Sequence, residues 1–391
     1  MLSVEAMDDL DRLSSAPNSG PTRRILILGG GFAGVWSALS AARTAAALDV
    51  SVQIELVNPD HRFVPRPRLY EAAPGETTRD LRDILEPLDV GHLEARATEI
   101  DVAEQSVALV DRDGARRRVR YDRLILATGS QLVRPPIDDT HLHDIDTLSG
   151  AEALDRRLHE LPDGATIVVV GAGFTGIELA CELPSRVPSA HVVVLERSAA
   201  IGSELGPGPR PHIESALDRL NVDVRTGTTI AGFDGGTVRL ADGTSFPAEV
   251  VVWTAGIRAN PLTESISSNV DPLGRLGVDQ FLRVRDVPSV FAAGDTAAPL
   301  DSSGHTVQQS AQHAIPQGAC AGGNAVADLV GAELTELATL PYGTCLDLGA
   351  AGAVFTEGWD REIRLVGDDA KALKNDINRV WIYPPMATSS A

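Results

Sequence analysis

Two glycine-rich turns are the segments of this sequence best suited to chemistry. Each has the spacing GxGxxG, follows an apolar stretch typical of a buried strand, and opens an apolar helix. In such a turn the first glycine makes the bend, the second lets the backbone approach a pyrophosphate, and the third packs the helix on the strand. The glycines are Gly29, Gly31 and Gly34, then Gly171, Gly173 and Gly176. Two such units predict that two nucleotides bind.

The residue that ends the strand after each turn indicates how a ribose is held. Glu196 ends the valine-rich strand after the second turn, where a carboxylate accepts from the 2′-hydroxyl of NAD and repels the 2′-phosphate of NADP. NADH is therefore favoured, and Arg197 beside it leaves NADPH open as an alternative. After the first turn the equivalent residue is Asn58, whose amide can also bond a ribose hydroxyl.

Charge and composition disfavour several kinds of partner. The 391 residues carry a formal net charge of −20, which opposes binding to nucleic acid and disfavours a broad contact with anionic lipid. No apolar stretch reaches the length of about 18 residues that a membrane span needs. Residues 1–21 are acidic and polar where a secretory signal would be basic and then apolar, so we predict a disordered tail on a cytoplasmic protein.

The cysteines predict neither a disulfide framework nor a metal site. Cys181, Cys320 and Cys345 form no CxxC or CxxxxC pair, and their number is odd. Buried free thiols are the expected state.

Three further segments, at 121–130, 250–262 and 287–298, each run from an apolar strand into a turn of small residues. In this order, and with both GxGxxG units, they resemble the flavoproteins that have two dinucleotide-binding domains. The resemblance implies FAD in the first unit and NAD(P)H in the second, with Asp295 on the flavin side; a helix N-cap is the alternative role for Asp295. The implied cofactor-binding residues are Gly29, Gly31, Phe32, Ala33, Gly34, Asn58, Ala127, Thr128, Gly129, Gly171, Gly173, Phe174, Thr175, Gly176, Glu196, Gly256, Gly294 and Asp295.

Within that superfamily, the disulfide reductases carry a CxxxxC pair just after the first unit, and this chain has none there. The segment 61–75 instead resembles the F-x-P-x-L-Y segment of type II NADH:quinone oxidoreductases, as do "WTAGIRANPL" and "GFTGIELACEL". In the last of these, Glu178 matches a glutamate that lies beside the nicotinamide and flavin rings in that family. Its alternative role is to interact with the dipole of its own helix.

The segment 310–318, "SAQHAIPQG", resembles the AQxAxQQG pattern of the quinone site in the same family. The resemblance implies that Gln312 and Gln317 orient a quinone. Pro316 replaces the first glutamine of the pair and removes both an amide and a backbone donor, so the identity of the acceptor stays open. Without the family, the stretch is the polar start of a helix.

The motif order predicts an α/β fold with two Rossmann-like domains, the NAD(P) domain inserted in the FAD domain, and a small C-terminal β/α region. The C-terminal segment is a candidate for a short membrane-surface anchor, with Lys371, Lys374 and Arg379 near Trp381. The alternative is a helix docked on its own domain or on a homodimer partner. The predicted divisions are a tail at 1–21, an FAD domain at 22–145 and 271–335, an NAD(P)H domain at 146–270, and a C-terminal interface or membrane-facing region at 336–391.

The resemblance implies an FAD-dependent NADH:quinone oxidoreductase that pumps no protons. Hydride would pass from NADH to flavin N5, and two electrons would then reduce a quinone. The protein would be cytoplasmic, or peripheral on the inner face of the cell membrane. The alternatives are a ferredoxin or a biosynthetic quinonoid compound as acceptor, and an NAD(H)-sensing flavoprotein similar to apoptosis-inducing factor. Sulfide oxidation would need a paired reactive thiol at Cys181 or Cys345, which the spacing does not support.

Overall fold

The first glycine turn lies between a buried strand and a helix, as predicted. The computed structural model describes residues 23–338 and 342–385, so the predicted tail at 1–21 lies outside the described residues. The apolar residues before the turn form a strand whose last four side chains are buried, as is typical of a parallel strand. The elements of this part are β1 (Arg23–Leu28), α1 (Phe32–Ala47), β2 (Val52–Asn58), β3 (Arg62–Phe63), β4 (Arg79–Asp80), α2 (Leu81–Leu85), β5 (Gly91–Asp101), β6 (Ser106–Asp111), β7 (Arg116–Arg120), β8 (Arg123–Leu126) and β9 (Ser130–Leu132).

The second glycine turn repeats the strand–turn–helix arrangement. Its elements are α3 (Leu148–His159), β10 (Thr166–Val170), α4 (Phe174–Arg186), β11 (His191–Leu195), α5 (Arg210–Arg219), β12 (Asp223–Arg225), β13 (Ile230–Phe233), β14 (Thr237–Leu240), β15 (Ser245–Pro247), β16 (Val250–Trp253) and β17 (Ile257–Ala259). Four of these strands pair in parallel in the order β12-β11-β10-β16. A three-stranded antiparallel sheet, β13-β14-β15, follows the second dinucleotide-binding unit.

After the second unit the chain returns to the first sheet. Strand β18 (Val290–Ala292) pairs in parallel with β8, and helix α6 (Ala311–Val330) follows it. The completed sheet has the order β18-β8-β1-β2-β5-β6-β7. Its first five strands are parallel, and β6 and β7 extend it as an antiparallel pair. This order confirms that the second strand–turn–helix unit is inserted in the first.

Helix α6 lies unusually close to α1 because glycines face the contact. A Cβ atom on Gly318 would lie 2.3 Å from the carbonyl oxygen of Ala33, and one on Gly322 would lie 2.1 Å from that of Ser37. Either distance is far below van der Waals contact, so only glycine fits. The close packing fixes the start of α6 relative to the first glycine turn.

The C-terminal part is a small β/α unit, as predicted. Strands β19 (Gly343–Asp347), β20 (Ala353–Glu357) and β21 (Glu362–Val366) form an antiparallel sheet, followed by α7 (Gly367–Asp376) and a π-helical turn at 377–381.

The end of the described chain docks on the first unit. Tyr383 donates from its hydroxyl to the carbonyl of Thr77 at 2.6 Å, and Ile382 is buried. Val380 and Trp381 remain exposed at 62% and 59%. No helix among residues 23–338 and 342–385 is long and apolar enough to cross a membrane. Contact with a membrane surface, or with a second copy of the chain, stays a prediction.

Candidate active site

The three glycines of the first turn each have a separate geometric role. Gly29 has φ of +109°, and a Cβ there would lie 2.3 Å from the carbonyl oxygen of Ala127. A Cβ on Gly34 would lie 1.8 Å from the carbonyl oxygen of Gly29, so this glycine allows the helix to pack on the strand. A Cβ on Gly31 would meet nothing within 4 Å. The middle glycine therefore faces open space, as the approach of a pyrophosphate requires.

The second turn has the same geometry. Gly171 has φ of +105°, and a Cβ on Gly176 would lie 1.9 Å from its carbonyl oxygen, whereas one on Gly173 would meet nothing within 4 Å. Neither α1 nor α4 has a side-chain N-cap or an acidic residue in its first turn. The first N–H groups of both helices are therefore left for an anion.

The residues that end β2 and follow β11 hold the two turns in the same way. Asn58 Oδ1 accepts from the N–H of Gly30 at 2.9 Å, and Glu196 Oε2 accepts from the N–H of Ala172 at 2.8 Å. Glu196 Oε1 also accepts from the N–H of Ser198 at 2.7 Å. Burial acts to raise the pKa of Glu196, but these N–H groups outweigh it and hold the pKa below its usual value. Both side chains keep unused acceptor capacity for a ribose.

The turn at 294–296 meets the segment that follows β8. Ser130 Oγ donates to Asp295 Oδ2 at 2.6 Å, and Arg66 donates to the carbonyl of Ser130 at 3.0 Å. The N-cap of this turn is Ala293, so Asp295 does not have the alternative role of an N-cap. Thr128 Oγ1 is buried and has no hydrogen-bond partner among the described residues. The predicted flavin-side residues thus lie together and include a polar atom that a ligand can satisfy.

The start of α6 carries the two predicted glutamines. Gln317 is buried, and its Oε1 accepts from the N–H of Gly294 at 2.7 Å. It therefore holds the turn that carries Asp295, a role that the sequence did not indicate. Gln312 is half-buried in the first turn of α6. A direct contact of either amide with an acceptor stays a prediction.

A buried histidine also lies at the start of α6. His313 stacks on Tyr342 with ring centroids 5.3 Å apart, and Tyr342 stacks on Trp359 at 4.9 Å. The Nδ1 atom of His313 lies 2.9 Å from Ser310 Oγ. Burial lowers the pKa of His313 below its usual value.

The remaining predicted cofactor-binding residues lie around the two turns. Phe32 and Ala33 are buried at the start of α1, while Phe174 is half-buried and Thr175 exposed at the start of α4. The predicted turn glycines with positive φ are Gly129 (+69°), Gly256 (+80°) and Gly294 (+69°).

Glu178 lies where α4 meets the C-terminal unit. It is 7% exposed, and its Oε1 accepts from Lys374 Nζ at 2.7 Å and from the N–H of Asp347 at 3.1 Å. Burial raises the pKa of Glu178 although Lys374 acts to lower it. For Lys374, the carboxylate of Glu178 outweighs burial and raises the pKa. Glu178 was predicted from the sequence, but its partner Lys374 was not, because the segment of Lys374 was considered as a membrane-surface anchor or as a docked helix, with no contact to Glu178.

A second buried network adjoins this pair. Tyr70 donates to Asp347 Oδ2 at 2.9 Å, and Lys371 Nζ donates to Asp347 Oδ1 at 2.5 Å. Burial raises the pKa of Tyr70 well above its usual value. The network therefore joins the 61–75 segment to the C-terminal unit at the same contact that holds Glu178.

The three cysteines are free thiols. Burial raises the pKa of Cys345 to about 11 and that of Cys320 to about 12, and it raises the pKa of Cys181 further. Thiols of this kind are protonated and unreactive at neutral pH. The arrangement opposes both a dithiol relay and sulfide chemistry.

The comparison with protein families agrees with this geometry. The sequence pattern of the pyridine nucleotide-disulphide oxidoreductases matches residues 23–318. The chain belongs to this family. Membership confirms two predictions: that the protein is an oxidoreductase, and that its sequence resembles this class of protein.

Proteins of similar sequence match 85% or more of the chain. An NADH dehydrogenase-like protein of Mycobacterium tuberculosis is 42% identical over 388 residues, covering 94% of this chain and 96% of that protein. A demethylphylloquinone reductase of Synechocystis is 29% identical over 348 residues, covering 85% and 86%. A type II NADH:quinone oxidoreductase of Staphylococcus aureus is 25% identical over 371 residues, covering 85% and 89%.

A solved structure shares the fold of this chain. NDH2 from Plasmodium falciparum, in complex with NADH, superposes with a TM-score of 0.78 at 14% identity, covering 93% of this chain and 95% of that one. The predicted fold class, with two Rossmann-like units and one inserted in the other, is confirmed.

Proposed function

We propose that the protein is an FAD-dependent NADH:quinone oxidoreductase, with FAD at the first glycine turn and NADH at the second. The observation that carries the proposal is the pair of turns. Gly31 and Gly173 each face open space at the start of a helix with no side-chain cap. Each turn therefore has room and N–H donors for a pyrophosphate. The unpartnered hydroxyl of Thr128 fits a further contact with the first nucleotide.

When bound, FAD would supply the redox chemistry, accepting hydride and passing two electrons onward. The contribution of the chain is to bind and orient. Gln317 fixes the turn that carries Asp295, and Asp295 is in turn held by Ser130. Glu196 fixes the second turn. A carboxylate after this strand would repel the 2′-phosphate of NADPH, which supports NADH as the donor.

The acceptor must come from outside the chain, because the thiols are unpaired and protonated. The name of the Staphylococcus aureus relative supports a quinone as that acceptor. Reduction of a quinone by NADH consumes one proton from solution. The buried pair of Glu178 and Lys374 is a place where this chain can hold a proton, since burial raises the pKa of the Glu178 carboxyl. Because Oε1 already accepts from Lys374 and from the N–H of Asp347, the proton would lie on Oε2.

A biosynthetic quinonoid acceptor is the second candidate. Pro316 stands inside α6 where the family pattern has a glutamine, so this chain lacks one amide that would orient a respiratory quinone. The name of the Synechocystis relative, demethylphylloquinone reductase, supports this alternative.

Steady-state assays of the FAD-loaded protein test the choice of acceptor. NADH oxidation is measured with ubiquinone and menaquinone analogues, with a demethylated naphthoquinone, and with ferredoxin. We expect one of the quinones to support turnover. Failure with every quinone together with rapid turnover with ferredoxin would overturn the proposal. Slow reoxidation of the reduced flavin by every acceptor tested would also overturn it, because that is the behaviour of an NAD(H) sensor.

The role of Glu178 has its own test. Glu178→Gln should lower turnover while FAD stays bound, because the amide cannot hold the proton. Glu182→Gln, one turn later on α4, is the matched control and should keep normal turnover. If stopped-flow rates of flavin reduction and of reoxidation are both unchanged in Glu178→Gln, Glu178 has no part in the mechanism.

A further inference from the structure

The turn between β20 and β21 buries an arginine. Arg361 is 6% exposed and has φ of +57°, a left-handed conformation that costs a residue with a side chain about 1–2 kcal/mol. Its N–H donates to the carbonyl of Gly358 at 3.2 Å, which closes the turn. The neighbouring Arg364 is different: it lies at the surface and pairs with Glu357 and Glu362.

The guanidinium of Arg361 is only partly satisfied. Nη2 donates to the carbonyl of Glu204 at 3.2 Å, and the Cζ atom lies 4.3 Å from the ring centroid of Tyr342 and 5.8 Å from that of Phe174. The hydroxyl of Tyr342 also interacts with the guanidinium. Among the described residues, however, Nη1 is buried without a hydrogen-bond partner. The two rings offset part of the cost of burial, but a buried guanidinium ordinarily has an anion beside it.

The surroundings of Arg361 belong to the second glycine turn. Phe174 is the first residue of α4, the helix whose N-terminus has no side-chain cap. Glu204 lies in the loop after β11, and that loop is tied to the turn by the N–H of Gly202, which donates to the carbonyl of Ala172 at 2.9 Å. The arginine therefore reaches the nucleotide unit from the C-terminal sheet, beside an uncapped helix start.

We propose that Arg361 binds the pyrophosphate of the nicotinamide dinucleotide, so that the C-terminal hairpin completes the second nucleotide site. The inference rests on the proposed function, because it takes the second turn as the NADH site. The anion would satisfy the unpartnered Nη1 and add to the N–H donors of α4. Part of the affinity for NADH then comes from a segment outside the dinucleotide-binding unit.

Binding of two nucleotide fragments to the FAD-loaded protein tests this role without turnover. ADP-ribose contains the pyrophosphate, and adenosine does not. Arg361→Gln should weaken ADP-ribose binding by about tenfold to a hundredfold, the loss expected for a charge-assisted hydrogen bond, and leave adenosine binding unchanged. Calorimetry measures the first ligand and ligand-observed NMR the second. Arg361→Lys, which keeps the charge, should recover part of the loss.

Arg364→Gln is the matched control on the same hairpin and should bind ADP-ribose normally. The proposal is overturned if Arg361→Gln binds ADP-ribose as the unmodified protein does, or if it weakens both ligands equally, which would indicate only a structural role. Should Arg361→Gln fail to fold with FAD, Arg361→Lys carries the test, and unchanged ADP-ribose affinity there overturns the proposal. Absence of ADP-ribose binding to the unmodified protein would instead overturn the proposed function itself.

Discussion

Replacing Lys374 by methionine removes the cation that faces Glu178. The carboxyl of Glu178 would then keep only the N–H of Asp347, at 3.1 Å, in a site that is 7% exposed. A buried carboxylate without a cation takes up a proton because burial disfavours the charged form. We therefore expect the pKa of Glu178 to rise further in Lys374→Met, and Glu178 to be neutral at pH 7.

The cost of this change depends on pH. In the unfolded chain a glutamate has a pKa near 4.3, and keeping it neutral costs about 1.36 kcal/mol for each pH unit above that value. The free energy of unfolding of Lys374→Met should therefore fall by at most about 3.7 kcal/mol at pH 7 and by about 1 kcal/mol at pH 5 from this source. The sign follows because the folded variant holds a proton that the unfolded chain releases, so stability is lost as pH rises above about 4.3.

Denaturant unfolding at pH 5, 6 and 7, followed by tryptophan fluorescence, measures this loss. The control is the double variant Glu178→Gln/Lys374→Met, in which no carboxyl is left to titrate. It should recover most of the stability at pH 7, and its difference from the unmodified protein should not depend on pH. An equal loss at pH 5 and pH 7 in Lys374→Met, or a double variant as unstable as the single one, would refute the reasoning about this pair.

Three further predictions concern single side chains. Gly173→Val should fold with FAD bound, because the position faces open space. The valine side chain would fill the space that a pyrophosphate needs, so the KM for NADH should rise about tenfold or more. An unchanged KM would mean that no pyrophosphate approaches there. Glu196→Gln should raise kcat/KM for NADPH relative to NADH by about tenfold or more, because it removes the carboxylate that would repel the 2′-phosphate. An unaltered ratio would contradict the assignment of Glu196 to the ribose. Burial lowers the pKa of His313, so the unfolded chain binds a proton that the folded protein excludes, and stability falls as pH drops below about 6.5. His313→Gln should reduce this fall in unfolding midpoints measured between pH 7 and pH 5, and an identical slope would exclude His313 as its source.

The parts of the site that could be predicted are those set by local spacing. The sequence places Gly29, Gly31 and Gly34 between an apolar strand and a helix, and the contacts of the turn follow from that order alone. The equivalent positions of Asn58 and Glu196 could be predicted for the same reason, since each closes a strand–turn–helix–strand unit.

Contacts between distant segments could not be predicted. Lys374 lies far along the chain from Glu178, and no periodic pattern connects them, so only the packing of α7 on the C-terminal sheet brings the charges together. Arg361 was missed for the same reason. Gln317 was assigned to an acceptor from the resemblance to a quinone-site pattern, and its contact with the N–H of Gly294 could not be predicted because it depends on the close packing of α6 on α1. Its contact with an acceptor stays a prediction.

The central claim is that one chain holds a flavin and NADH and passes electrons to an external quinone. Anaerobic titration of the purified protein with NADH, followed in the visible spectrum and completed by adding a quinone, tests it most directly. We predict a yellow protein that bleaches with one equivalent of NADH and regains its colour when quinone is added. A colourless protein that binds no FAD, or a flavin that NADH does not bleach, would contradict the account.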